Sequence, residues 1–350
     1  MMPTLAYVLH SGQLFGTERM ALATLQALRP QFEGLIIAPP GPVHAAALAA
    51  GLRSLACGGR WAMLRALTQQ LRRQPHSAVL STGVWQALAT AGLQALLGGR
   101  GAHLHMVHGG TDERLSYGRK RLLVGLNIRL VAVSDFVRQR LLAHGVADAA
   151  ITVLPNFLPR PAGAASSPAW PPVRERLQRV ILLSRLDRIK RVGLLFDALD
   201  HTPELRDLQF DIYGSGEEAE LLQQRARRHP NVKLHGFVAE AAAELGRADL
   251  LLHTCPEEPF GLVLLEAFAA GVPVLVPNSG GTADIVRDGI NGWQFSANDG
   301  IALGQRLRQL MQLPPAQLWR VSAGGRASLA KDYAAERLLP RLTELLRGAT

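Results

Sequence analysis

The chain has 350 residues, 48% of them hydrophobic and 5% aromatic, which is enough for two domains with cores of their own. No apolar run reaches the roughly 18 residues a spanning helix needs, and MMPTLAYVLHSG lacks the basic lead and long apolar run of a secretory signal, so a cytoplasmic protein is expected. The net charge of +10 lies in the first half, where residues 1–160 hold 16 Lys or Arg against 6 Asp or Glu while the remainder balances. Such asymmetry suits a surface that meets polyanions: anionic lipid, a phosphate-bearing acceptor or nucleic acid. Charge scattered by an Arg-rich composition is the plainer alternative. Cys57 and Cys255 have no partners at metal-ligand spacing and are expected to be small core residues in a reducing compartment.

The elements alternate from the start. LAYVLH (5–10) reads as a strand, and TERMALATLQALRP (17–30) as a helix with Thr17 as N-cap and Glu18 in its first turn. GLIIAPP (34–40), HSAVLST (76–82), HLHMVH (103–108) and RLVAVS (129–134) are further strands, with helices at 61–73 and 84–97. FLPRPAGAASSPAWPP (157–172) breaks the pattern and reads as a linker. Strands resume at RVILLSRL (179–186), LQFDIYGSG (208–216), VKLHGFV (232–238), ADLLLHTC (248–255) and VPVLVP (272–277), and the chain closes with helices near 300–312, 315–330 and 333–347. Strict alternation predicts parallel sheets covered on both faces. The expected fold is α/β, with two doubly wound Rossmann-like domains.

In open parallel sheets ligands bind at the carboxyl ends of the strands. HSGQLFGTE, HGGTDE, SRLDRIK, YGSGEE and CPEEPFG all stand there. Arg185 and Lys190, spaced R-x4-K, can clamp a diphosphate, the first as a planar fork and the second as a mobile charge; solvated loop cations would look the same. GLVLLEAFAAG predicts a helix from about Gly261 to Gly271, whose first N–H groups and dipole suit a phosphate. Glu258 precedes it. Glu266 stands inside it, too far in to cap, among apolar neighbours. A carboxylate in that company needs partners, such as ligand hydroxyls; a surface Glu on an amphipathic helix is the alternative.

EPFGLVLLEAFAAGVPVL resembles the E-x7-E segment of retaining glycosyltransferases of the family-4 type, which have the glycosyltransferase B fold. VAVSDFVRQRLLAHGV with ITVLPNF (131–157), ILLSRLDRIKRVGLLFDAL, FDIYGSGEEAELLQQRA, NVKLHGFV and GGTADIVRDGINGWQF follow in that family's order. The likeness is dense from about 130 to 295, sparse from 33 to 100, and looser in LHSGQLFGTERMALATL. It implies two Rossmann-like domains facing a central cleft: an acceptor-side domain (1–160), a linker (161–175), a nucleotide-sugar domain (176–332) and a terminal helix (333–350) that can cross back to the first domain.

The resemblance also assigns roles. Glu266 would accept hydrogen bonds from ribose hydroxyls, and Glu258 would hold the donor sugar. Arg185 and Lys190, with the N–H groups of Gly261, Leu262 and Val263, would neutralise the leaving diphosphate. Gly214 and Gly216 would let the chain pass close to the nucleotide, with Val238 near the base. His108 matches the family's first-domain His near the donor sugar. Gly16 and Thr17 match its glycine-rich first loop, although FGTE has one Gly where paired glycines are common.

Cleaving a sugar–phosphate bond builds positive charge on the sugar and negative charge on the diphosphate, which preorganised donors stabilise. No carboxylate clearly suits a covalent nucleophile. No DxD motif occurs, so no metal and no cofactor are expected; a nucleotide-diphosphate sugar is the donor substrate, with Arg and Lys taking the metal's place. The expected activity is retaining hexosyl transfer to a glycan or lipid-linked glycan, in cell-surface polysaccharide or lipopolysaccharide synthesis.

RWAMLRALTQQLRRQ (60–74) places Trp61, Leu64, Leu67 and Leu71 on one helical stripe beside Arg60, Arg65, Arg72 and Arg73. ERLSYGRKRLLVGLNIRL adds Arg114, Arg119, Lys120, Arg121 and Arg129. Such segments can lie on the anionic inner face of a membrane, or simply cover a core. A polyanion-binding protein without catalysis is the alternative class, and an epimerase of the same fold is another. Nucleic acid is disfavoured, because no recognition motif or aromatic stacking set is present.

Overall fold

The computed structural model describes residues 2–110, 113–158, 176–238 and 241–347. The chain divides into two compact units, one of Met1–Pro161 with Ala334–Thr350 and one of Ala162–Tyr333. The expected linker 161–175 lies outside the described residues.

The first unit holds seven strands: β1 (Thr4–Val8), β2 (Glu33–Ala38), β3 (Arg53–Ala56), β4 (Ala78–Ser81), β5 (His103–Val107), β6 (Arg129–Ala132) and β7 (Ile151–Val153). They form one sheet in the order β3-β2-β1-β4-β5-β6-β7, parallel throughout. The second unit holds β8 (Arg179–Leu183), β9 (Gln209–Tyr213), β10 (Val232–Gly236), β11 (Leu250–Leu252), β12 (Val274–Pro277) and β13 (Trp293–Phe295). Their order is β10-β9-β8-β11-β12-β13, again parallel. Each order reverses once, between β1 and β4 and between β8 and β11, and each reversal opens a crevice at the strand ends.

The central strands β1, β4, β5, β11 and β12 are buried at every residue, because helices cover both faces of a parallel sheet. This is why they read as unbroken apolar runs. The edge strands differ. β3 is mostly exposed, and β10 puts Lys233 and His235 outward.

Helix Gly16–Ala27 begins earlier than expected. Phe15 is its N-cap rather than Thr17, and Glu18 reaches back to accept the Phe15 N–H at 3.1 Å. The carboxylate satisfies one of the amides a helix start leaves unpaired, so the Thr17 hydroxyl is not needed there. Helix Arg60–Arg73 buries Met63, Leu67, Gln70 and Leu71. The expected stripe is therefore corrected at its start: Trp61 is 83% exposed, because Met63 rather than Trp61 is in phase with Leu67 and Leu71. Helix Ala335–Arg347 buries Leu338, Leu342 and Leu346 at four-residue spacing and packs on helix Gly16–Ala27 and on β5 in the first unit.

Candidate functional site

Both strand loops at the second sheet's reversal carry charge. The loop after β8 contains Arg185, Asp187 and Lys190; the loop after β11 contains His253, Cys255 and Glu258. Lys190 Nζ donates to Glu258 Oε2 at 2.5 Å, with the side chains 17% and 15% exposed. His253 Nε2 stands 3.4 Å from the same oxygen. Thr254 Oγ1 donates to the Lys190 carbonyl at 2.7 Å, which ties the two loops together. Burial works against charge on both partners. Their mutual attraction, with help from His253, outweighs it: Glu258 is held well below the usual carboxylate range, and Lys190 is raised above its ordinary value. Arg185 is half-exposed and ion-paired with Asp187.

His253, Cys255 and Glu258 bring one ligand atom each within 4.8 Å of one another. The group fits a cation poorly. The ammonium of Lys190 already sits on the carboxylate and would have to leave it before an ion could bind.

Glu258 is fixed from below by the loop after β12. Gly281 N–H donates to the Glu258 carbonyl at 2.6 Å, and Ser279 Oγ donates to Pro256 at 2.8 Å. A Cβ on Gly281 would lie 2.1 Å from the Pro259 carbonyl, so only glycine allows this approach. Helix Leu262–Ala270 follows, with Gly261 as its left-handed N-cap (φ 93°) and Gly271 closing it (φ 73°). Leu264, Leu265 and Phe268 are at most 1% exposed, each contributing roughly 2 kcal/mol of burial. Gly325, in helix Pro315–Asp332, packs so closely that a Cβ would come 2.6 Å from the Phe268 ring. Glu266 emerges half-buried between these core residues, and Leu262 and Val263 are half-buried in the first turn.

Gly214 and Gly216 follow β9. The space a Cβ would need is filled by the chain itself: Ser184 O lies 1.8 Å from a Cβ on Gly214 (φ 146°), and the Leu186 backbone 2.5 Å from one on Gly216. These glycines let the β9 loop cross the Arg185 loop, and Leu186 N–H donates to Ser215 O at 2.9 Å. Val238 is half-buried after β10. Beside it Phe237, which has no polar or glycine signal in the sequence to mark it, is 76% exposed.

In the first unit His10 follows β1 and Thr82 follows β4, flanking that sheet's reversal, with His10 Nδ1 and Thr82 Oγ1 2.8 Å apart. His108 follows β5; its Nε2 is buried without a hydrogen-bond partner among the described residues. Burial, then the charges of His10 and Lys120, push its pKa down to about 4, so the ring is neutral at pH 7. Gly16 is exposed and Thr17 half-buried. The tight approach in this loop belongs to Gly12, where a Cβ would meet Pro39 O at 2.2 Å. Lys120 departs from the expected basic face. It is 6% exposed, while Arg119 and Arg121 are exposed. It sits in a three-residue-per-turn helix, Gly118–Leu123, and Lys120 and Leu123 share its buried edge.

Two doubly wound units with ionic loops at a strand-order reversal define an α/β protein of the glycosyltransferase B fold. Residues 171–325 match the family model of glycosyl transferases group 1. Glycogen synthase of Mycobacterium tuberculosis is 32% identical over 163 residues, covering 44% of this chain and 38% of that protein. Anabaena HepE in complex with UDP-glucose matches 99% of each chain with a TM-score of 0.82 at 17% identity. The apo form of the lipopolysaccharide outer core galactosyltransferase WaaB matches 99% of this chain and 100% of its own, with a TM-score of 0.79 at 17% identity. The curated relative is therefore spanned over well under half its length, and the solved structures share the fold.

Proposed function

We propose that the protein is a retaining, metal-independent hexosyltransferase that moves a sugar from a nucleotide diphosphate to a glycan or lipid-linked glycan. The observation that carries this reading is the coincidence of the family match at 171–325 with the half-buried Lys190–Glu258 pair beside the start of helix Leu262–Ala270. In this reading the helix start, Lys190 and Arg185 receive the diphosphate as the bond breaks. Glu258, held by its loop, faces the sugar, and Glu266 accepts from the ribose. Phe237 and Val238 flank the base, and the neutral His108 positions the sugar without adding charge. HepE is described with UDP-glucose, which makes a uridine donor the first to test.

Reaction on one face of the sugar has a stereochemical signature. Incubated with UDP-glucose, the enzyme should slowly release glucose whose first anomeric proton signal is α, at a rate unchanged by EDTA. Release of β-glucose first would remove retention, and loss of turnover in EDTA would remove metal independence.

The acceptor is proposed to be delivered at an anionic membrane surface by the first unit. Leu115, Leu122, Val124 and Leu126 are exposed there among exposed Arg119, Arg121 and Arg129, the mixture that seats on anionic lipid. No described helix is long and apolar enough to cross a membrane. Vesicles with about a third phosphatidylglycerol should retain the protein at low salt and release it at about 0.5 M salt. Failure to bind at low salt would refute this.

A further inference from the structure

The Lys190–Glu258 contact poses a charge problem for the proposed reaction. Glu258 Oε2 receives Lys190 Nζ at 2.5 Å, and an arriving diphosphate must draw that ammonium away. The carboxylate left behind is 15% exposed. A half-buried carboxylate without its partner takes up a proton more readily, the more so beside a new anion. Once protonated, Glu258 could no longer favour the positive charge that builds on the sugar. A second donor to the same oxygen would remove the problem.

His253 stands where such a donor must. It directly follows β11, and its backbone N–H donates to Leu275 O of β12 at 2.9 Å, which fixes it to the sheet. The side chain is 5% exposed. Its Nε2 is buried, makes no hydrogen bond among the described residues, and lies 3.4 Å from Glu258 Oε2. Closing that gap by about 0.4 Å would give an ordinary N–H···O bond. A buried ring nitrogen left unbonded is costly, so the closing is favoured once Lys190 has moved. The neighbouring groups do not compete for this role. Arg185 is half-exposed and paired with Asp187, and Glu257 is exposed. Burial keeps the Cys255 thiol protonated at pH 7. The loop after β12 brings Ser279 and Gly281, neither titratable, against this segment.

We propose that His253 is a positioning residue that takes over Glu258 when Lys190 turns to the diphosphate. Its Nε2–H then donates to Oε2, and the carboxylate stays ionised and in place while the sugar–phosphate bond breaks. A neutral ring with its proton on Nε2 is sufficient for this. The role rests on the glycosyl-transfer reading and deepens it, by naming the residue that keeps Glu258 in its working state.

Two measurements test this, one with substrate and one without. The pH dependence of kcat reports ionisations in the substrate-bound enzyme. With UDP-glucose hydrolysis as the assay, the acid limb of kcat should move to higher pH by about one unit or more in His253→Leu. Glu258 there protonates once Lys190 has left, so activity is lost below the raised value and returns above it. In His253→Gln, which keeps an N–H at similar reach, the limb should stay at its wild-type position. An unmoved limb in His253→Leu would overturn the proposal. So would an equal shift in both variants, which would mark a packing role. In the ligand-free protein, Lys190→Met stands in for the departed ammonium. Adding His253→Leu to it should lower the urea midpoint at pH 7 more than the same change does in the wild type, and His253→Gln should not. Additive effects would overturn the proposal whatever the protein transfers. A non-additive cycle in a protein that turns over no nucleotide-sugar would keep His253 as the second holder of Glu258 and withdraw the glycosyl-transfer reading.

Discussion

Replacing Lys190 with Met should lower the stability of the protein by up to about 3 kcal/mol, the low end of the penalty for stranding one member of a buried ion pair, because this pair is half-buried. Glu258 would then keep its charge in a half-buried position, with His253 Nε2 at 3.4 Å beside it. Alternatively it would take up a proton and lose the field that now holds it ionised. Adding Glu258→Gln should recover a good part of the loss, because the stranded charge is then gone. Urea unfolding of the wild type, both single variants and the double variant closes the cycle. A Lys190→Met protein as stable as the wild type would mean that solvent reaches the pair. The same pair links stability to function. In the proposed mechanism Lys190 must turn partly from Glu258 toward an arriving diphosphate, and a nearby alternative anion makes that exchange cheap.

Acid should destabilise the first unit well before its carboxylates are protonated. His103 is 1% exposed, and burial lowers its pKa to about 4; His105 and His108 are shifted in the same direction. In the unfolded chain these rings take up protons near 6.5. Between the two values the unfolded state binds more protons, so stability is full above pH 6.5 and falls as the pH drops toward 4. For His103 alone the loss is about 3 kcal/mol, from about 2.5 pKa units at 1.36 kcal/mol each. Urea midpoints at pH 7.5, 6, 5 and 4.5 should fall steadily. In a His103→Gln protein the fall should be shallower by about that amount. A flat profile down to pH 5 would show that these rings are hydrated.

The parts of the fold legible in the sequence are those governed by local pattern. Central strands such as LLL in β11 and VLVP in β12 read correctly because burial on both faces leaves no polar alternation. β3, β7 and β13 passed unnoticed. They are three or four residues long and stand at or near sheet edges, where Arg53 or Gln294 fits as well as an apolar residue. Lys120 was read with Arg119 and Arg121 as one basic face, because a Lys between arginines carries no local sign of burial. The tight helical turn that buries every third residue decides its fate. Glu258 and Lys190 were assigned separate partners, and their contact spans 68 residues. It exists because the strand order places β11 beside β8. His253 was hidden for a related reason. It reads as the end of a strand, and only its distance to Glu258 gives it meaning.

The central claim is that the strand-order reversal of the second unit binds a nucleotide-sugar. Its most direct test is a thermal-shift screen of UDP, GDP, ADP and their common sugar conjugates on the wild type and on Glu266→Ala. A ligand that binds only the folded state raises its melting temperature. The account predicts stabilisation by one nucleotide, UDP first, that is clearly weakened in Glu266→Ala. No shift with any nucleotide in a folded sample, or a shift that ignores Glu266, would contradict it.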